Sequence, residues 1–379
     1  MNRLFRVGPL GFAILFLALL LPIAGCDSEV GPTDTADVDV MTYNLYLGAE
    51  IFALVGTPAE ELPAVAGQLF ADVQATDFPA RAEAIADIIE QENPDLIGLQ
   101  EVTLYRTQTP ADNLPDEIDQ MPSTPATDVA FDFLQILQDA LDARGLDYRV
   151  AATTTNADVE IPSTTDGATF TDIRLTDRDV ILARNDVETA NPVEANFATA
   201  APVPVGDVAV PFTRGYNSVR ATVDGVSFTF ANAHLEVDDG NPEGAALVQV
   251  AQGLELVSAL ASAPSPVVLV GDFNSAADGS GTQVTLTEPI TFSGTTYDLL
   301  TGTYTDAAEE EGVTDDTCCQ AADLLNATSS LTSRIDLILY RGDVEPLSAE
   351  VVGDERVDLG GPQWPSDHAG VVATLRITN

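Results

Sequence analysis

The sequence contains no lysine. All fifteen of its basic residues are arginine, set against 60 Asp and Glu in 379 residues, for a formal net charge of −45. The absence excludes every phosphate-binding loop that relies on a lysine. A surface this acidic repels polyanions at ordinary salt. It suits a protein facing molar salt, where screening is nearly complete at short range. Cysteine is almost as scarce, with three in the chain, and histidine occurs only twice. No Cys/His spacing fits a structural zinc. No Gly-x-Ser-x-Gly elbow is present, and the adjacent Ser366, Asp367 and His368 cannot by themselves make a nucleophile–base–orienter chain, so a serine hydrolase is excluded. Internal repeats are also missing. No linker is strong enough to split residues 38–379 into two domains.

Hydrophobic residues make up 45% of the chain, enough for a substantial core. The first residues stand apart. Arg3 and Arg6 precede an almost wholly apolar stretch, residues 7–21, and Ile23-Ala24-Gly25-Cys26 follows. The run is too short and wrongly flanked for a spanning helix. It resembles a bacterial lipoprotein signal, which implies removal of residues 1–25 and lipidation of Cys26. A plain secretory signal and an uncleaved anchor are the alternatives, and all three place the domain outside the cytosol on a membrane or beyond it. Residues 26–37 are polar and turn-rich and read as a tether. Cys318 and Cys319 are neighbours, open to three readings: a vicinal disulfide, two free thiols, or part of a metal pair.

The chain is organised around Val267-Val-Leu-Val-Gly-Asp-Phe-Asn274. A short continuous apolar run closed by Gly and Asp reads as a buried strand, whose carboxyl end delivers Asp272 and Asn274 to the mouth of a sheet. Four other segments end alike: residues 38–44 on Asn44, 95–101 on Glu101, 228–234 on His234, and Ser366-Asp367-His368. Helices are expected from Pro79 to Asn93 and over residues 242–261. Another is expected through Val129, Phe133, Ile136, Leu137 and Leu141. Residues 107–127, 156–172 and 276–316 read as polar loops, the last with short elements. Residues 148–152, 179–184, 335–340, 349–352 and 370–377 read as strands. Residues 208–212 and 216–223 read as paired strands, the second continuing through the Asp224-Gly225 turn to its return strand.

Each polar strand end has a bland alternative taken singly. Glu101 could be a solvated terminus, and Asp272 with Asn274 only an Asx turn. Asp336 is harder to dismiss, because a carboxylate among the aliphatics of Ile335-Asp336-Leu337-Ile338-Leu339 needs a partner, and histidine is a natural one.

Taken together, Thr42-Tyr-Asn44, Leu99-Gln-Glu101, Asn232-Ala-His-Leu235, Gly271-Asp-Phe-Asn274, Arg334-Ile-Asp336 and Ser366-Asp-His368 occur in an order that resembles the endonuclease/exonuclease/phosphatase superfamily, over nearly all of residues 38–379. The resemblance implies an α/β four-layer sandwich, two mixed sheets face to face with helices outside. It implies a hydrolase of phosphoester bonds that uses Mg²⁺, Mn²⁺ or Ca²⁺ and in-line attack by water. Glu101, Asn44 and Asp367 would serve the metal. Asp272 would orient the water, and His368, steered by Asp336, would be the general acid/base. His234 would contact the phosphate and its leaving oxygen, with Asn274 and Arg214 as further phosphate contacts. A nucleic acid, a lipid headgroup or an inositol phosphate is the expected substrate, and a silent binding module on the same fold is the contrasting reading. Nothing implies a protein partner, and a monomer is expected.

Overall fold

The computed structural model describes residues 34–112, 125–205, 208–287 and 290–379. The targeting segment, Cys26 and most of the tether lie outside them, as does the middle of the 107–127 loop. The first strand, β1 (Thr35–Asn44), begins at Thr35 rather than residue 38. After a 3-10 turn (Ile51–Leu54) come α1 (Leu62–Ala75) and α2 (Phe78–Glu92). Pro79 sits in the first turn of α2, where its missing N–H costs nothing. Asn93 closes the helix in the left-handed conformation, its N–H on the Ile89 carbonyl.

Then follow β2 (Leu96–Gln100), β3 (Leu104–Gln108), β4 (Asp128–Asp132), α3 (Phe133–Ala143), β5 (Tyr148–Ser163), β6 (Thr171–Arg184), β7 (Glu188–Asn196), β8 (Ala201–Val205), β9 (Val208–Phe212), β10 (Gly215–Val223) and β11 (Val226–His234). The remainder runs α4 (Ala245–Leu260), β12 (Val267–Asp272), β13 (Val284–Leu286), β14 (Phe292–Gly294), α5 (Thr296–Thr301), β15 (Thr305–Asp306), α6 (Ala307–Glu310), β16 (Asp336–Arg341), β17 (Val344–Val352), β18 (Val357–Asp358), β19 (Pro362–Gln363) and β20 (Gly370–Thr378). Among the described residues no helix is long and apolar enough to cross a membrane.

Two large mixed sheets result. One runs β17-β20-β1-β2-β6-β3-β4, with β5 also on β6; the other runs β15-β16-β12-β11-β10-β7. The parallel pairs are β1 with β2 and β11 with β12. The apolar runs are continuous because both faces of these strands are covered. In β1, Val38 and Val40 enter the layer between the sheets, while Met41 and Tyr43 face the helix side with Phe78, Ile85 and Ile89 of α2. In β12, Val268 and Val270 enter the same central layer, while Val267 and Leu269 pack outward with Leu256 and Leu260 of α4. Helix, sheet, sheet, helix is therefore the layer order, the α/β four-layer sandwich. The sheets approach closely at Gly98, where a Cβ would lie 2.5 Å from Val270 Cγ2 and 2.8 Å from Asn232 Oδ1.

Three local expectations fail. Residues 156–172 are not a loop: β5 continues to Ser163 and returns as β6 through a short turn. Its polar residues are paired within the hairpin: Asn156 binds Asp177 and Asp179, and Asp158 accepts from Arg174 and Thr176. Val129 is not on a helix face. It lies in β4, 62% exposed, and the helix begins only at Phe133; residues 128–132 instead satisfy the edge of β3. Strand β9 pairs with β8 and not with β10, because β7 and β11 already occupy both edges of β10.

Candidate active site

The carboxyl ends of β1, β2, β11 and β12 meet at one mouth of the sandwich. Register does much of the work: His234 stands opposite Asp272 across the β11/β12 pair, and Asp272 opposite Asp336 across β12/β16. Within β12 the close approach of β11 needs Gly271, whose φ is +151° and whose added Cβ would lie 1.9 Å from the Ala233 carbonyl oxygen. Below the mouth the two sheets are tied by polar contacts. Gln100 Nε2 donates to Asn232 Oδ1 (2.7 Å), and Asn232 Nδ2 donates to the Leu99 carbonyl (3.1 Å).

Asp272 is the hub. Asn44 Nδ2 donates to its Oδ2 at 3.0 Å, across the two sheets. His234 Nε2 is 3.5 Å and His368 Nε2 3.9 Å from the same oxygen. Its other oxygen accepts the Asn274 N–H (2.9 Å), so the Asx turn and the site coexist. Asn274, at φ +50°, donates from Nδ2 to the Leu235 carbonyl (3.0 Å), leaving one N–H of that amide for another acceptor. His368 Nδ1 lies 2.8 Å from Asp336 Oδ2, and both are buried. The expected carboxylate partner for the histidine is thus in place. Ser366 Oγ donates instead to the Asn44 carbonyl (2.7 Å), locking the Ser366-Asp367-His368 segment against β1.

Glu101 ends β2 in the left-handed conformation (φ +56°), and its Oε2 accepts the Leu47 N–H at 2.8 Å. Burial, with the carboxylates of Asp367 and Asp177 nearby, pushes its pKa up to about 8. Burial likewise raises Asp367, against the pull of His368 and Arg81. Acidic groups driven toward the neutral form by burial and by one another are a ready place for a divalent cation. Oxygen donors from Glu, Asp and Asn are the set that Mg²⁺ or Mn²⁺ takes, so the residues fit such an ion.

The two imidazoles differ sharply. Burial, then the Arg214 guanidinium 3.1 Å from Nε2 and 3.2 Å from Nδ1, pulls His234 down to about 3, so it is neutral at neutral pH. Burial also opposes charge on His368, but Asp336, Asp272 and Asp367 outweigh it and raise its pKa well above the ordinary value. Arg214 itself is buried against His234 and Glu236, 3.9 Å away, rather than reaching out of the site.

Several neighbours were not among the expected site residues. Asp179 Oδ1 is 3.7 Å from His234 Nδ1. Asn156 Nδ2 binds both Asp177 Oδ2 (3.2 Å) and Asp179 Oδ2 (2.7 Å), and burial pushes Asp179 up to about 7. Two carboxylates alternating ahead of Val180-Ile-Leu-Ala183 were the available signal, since β6 must then bury both on one face. Arg81 is another. Wholly buried on α2, it donates to the carbonyls of Thr76, Leu45, Tyr46 and Pro365 at 2.6–3.1 Å, with its guanidinium 4.9 Å from the Phe78 ring centroid. It ties the chain just after Asn44 to the chain just before Asp367. Cys319 Sγ lies 3.9 Å from His368 Nε2.

Among solved structures, an endonuclease/exonuclease/phosphatase family protein from Bacteroides thetaiotaomicron superposes with a TM-score of 0.53 at 17% identity, covering 91% of this chain and 96% of that one. A family protein from Bacteroides vulgatus gives 0.50 at 16% identity, over 90% and 98%. A mannosyl-6-phosphatase from Bacteroides thetaiotaomicron gives 0.50 at 18%, over 89% and 99%. At these identities the likeness is one of fold. No curated protein gives a significant match. The Endonuclease/Exonuclease/phosphatase family profile, however, matches residues 41–368, from inside β1 to His368, and so takes in every strand end that converges on Asp272. On that match the chain belongs to the Endonuclease/Exonuclease/phosphatase family.

Proposed function

We propose that the protein is a divalent-metal-dependent phosphoesterase that hydrolyses a phosphodiester by direct attack of water. The supporting observation is the convergence of Asn44, His234 and His368 on the single carboxylate of Asp272, with Asp336 behind His368. Glu101 and Asp367, with Asn44 beside them, would hold Mg²⁺ or Mn²⁺. The ion would neutralise phosphate charge that otherwise repels the nucleophile.

The chain's own groups do the rest. Asp272, fixed by Asn44, orients the water and takes its proton as the new P–O bond forms. His368, held in its charged form by Asp336, gives a proton from Nε2 to the leaving oxygen as the old P–O bond breaks. His234, kept neutral by burial and Arg214, offers an N–H to a phosphoryl oxygen, and the spare N–H of Asn274 offers another. We extend the proposal to cellular placement: a lipidated Cys26 holds a monomeric domain at a membrane outside the cytosol. Intact-mass analysis of the membrane fraction tests that part, with a diacylglyceryl adduct on Cys26 expected.

The test of activity is hydrolysis of bis-p-nitrophenyl phosphate in high salt. Turnover should vanish with a chelator and return with Mg²⁺ or Mn²⁺. A folded sample with no metal-dependent turnover would overturn the proposal in favour of a binding module. A panel of plasmid DNA, RNA, sphingomyelin and inositol phosphates under the same conditions then assigns the substrate class.

A further inference from the structure

The Cys318-Cys319 pair sits directly against the general acid/base and takes no part in the mechanism above. The two sulfurs are joined to each other. Cys318 is buried and Cys319 is exposed. Two neighbouring segments clamp the pair in place. On one side Gln320 N–H donates to the Asp367 carbonyl and Ala369 N–H to the Thr317 carbonyl, both at 2.8 Å. On the other, Cys318 N–H donates to the Ser333 carbonyl at 2.9 Å and Thr332 N–H to the Cys318 carbonyl at 2.7 Å. The sulfurs are therefore held beside His368 by backbone, not by chance side-chain contact.

We propose that in its reduced state this pair, together with His368, is a site for a soft metal ion such as Zn²⁺, Cd²⁺ or Cu⁺. In the disulfide form the three ligand atoms all lie within 4.8 Å of one another, and reduction frees the two sulfurs to part to the roughly 3.8 Å that two thiolates span on one tetrahedral ion. Cys319 Sγ and His368 Nε2 are 3.9 Å apart. Around a tetrahedral zinc, with Zn–S of 2.3 Å and Zn–N of 2.0–2.1 Å, the sulfur-to-nitrogen separation is about 3.5 Å, within a small side-chain rotation of that distance. The ring already carries the outer partner that metal-ligating histidines have: Nδ1 is hydrogen-bonded to a carboxylate, Asp336, which fixes the ring and turns Nε2 toward the sulfurs. Thiolate and imidazole select soft ions, whereas the oxygen donors of Glu101, Asp367 and Asn44 select hard ones, so the two sites take different metals.

Access to the site is redox-gated. A dithiol reductant supplies two electrons and two protons to the Cys318–Cys319 bond and is itself oxidised to a disulfide. The ion then enters as both thiols and Nε2 give up their protons. Occupancy removes the His368 proton needed by the leaving group. This last consequence alone rests on the proposed phosphoesterase activity.

The experiment is a Cd²⁺ titration of the full chain after phosphine reduction, followed by thiolate-to-cadmium absorption in the ultraviolet, beside the Cys318→Ser/Cys319→Ser variant. The difference between the two cancels any contribution from Cys26. In that difference one equivalent bound by two thiolates is expected for the reduced chain, and none for the oxidised chain. The variant should keep its Mg²⁺-dependent turnover and lose its inhibition by Cd²⁺. Absence of the band from the reduced chain would overturn the site whether or not the protein is an active hydrolase. A band with no inhibition, in a chain that turns over, would keep the metal site and refute capture of His368.

Discussion

His234 and His368 approach the same oxygen of Asp272, yet their surroundings drive them to opposite charge states. His368→Ala and His234→Ala should each lower turnover by about 10²–10⁴-fold without unfolding the protein, a loss read by steady-state kinetics alongside circular dichroism. The protonation of His234 also has a stability consequence. Its folded pKa, about 3, lies below the ordinary 6.5, so on acidification the unfolded chain binds a proton that the folded chain refuses. Stability from this group is full above about pH 7 and drains away as pH falls through 6.5 toward 3. Relative to a His234→Asn variant, wild type should lose roughly 2 kcal/mol between pH 7 and pH 5, measured by urea unfolding at both. Equal losses in the two proteins would show that the imidazole is charged in the fold.

At the scale of elements, α2 anchors the mouth. Arg81→Met would strip the donor from the Leu45, Tyr46 and Pro365 carbonyls and leave Thr76 only its bond from Gln363. The expected cost is roughly 3–5 kcal/mol in chemical denaturation, with a fall in turnover because the chains bearing Asn44 and Asp367 are no longer tied. The strands that carry the site were legible because they are buried on both faces, which writes them as unbroken aliphatic runs ending on a polar residue. Asn44, Glu101, Asp272 and His234 stand out at the ends of such segments, Asp336 as a charge within one, and His368 only through the order in which its Ser366-Asp367-His368 segment follows the others. Strand β5 could not, since a hairpin of Thr, Asn and Asp that pair with one another has the composition of a loop. Nor could Arg81, whose partners are backbone carbonyls far along the chain and leave no mark on side-chain pattern. The pairing of β9 with β8 depended on which strand edges were already taken, information that belongs to the assembled sheet.

The whole molecule carries −45 charges with arginine as its sole fixed cation. Several arginines are spent on local pairs, such as Arg144 between Glu83 and Asp87 and Arg376 on Asp37. The unpaired remainder is a self-repelling acidic shell. The thermal midpoint should therefore climb as NaCl rises from low concentration toward about 1 M, where the screening length falls to roughly 3 Å. A scanning calorimetry series that showed no rise would remove salt adaptation as the reason for the composition.

The first strand of the domain pairs edge to edge with the last, Thr35 opposite Thr378. During synthesis from the N-terminus, Asn44 is made long before β20, the strand that becomes the second neighbour of its own. A nascent polypeptide stopped before Ser366-Asp367-His368 thus lacks both a metal-holding carboxylate and the general acid/base, and has no closed sheet to hold the site residues already made. Hydrolytic competence would then arrive only once β20 has been made and paired, so that a copy halted earlier is harmless to phosphoesters in the compartment where it is born.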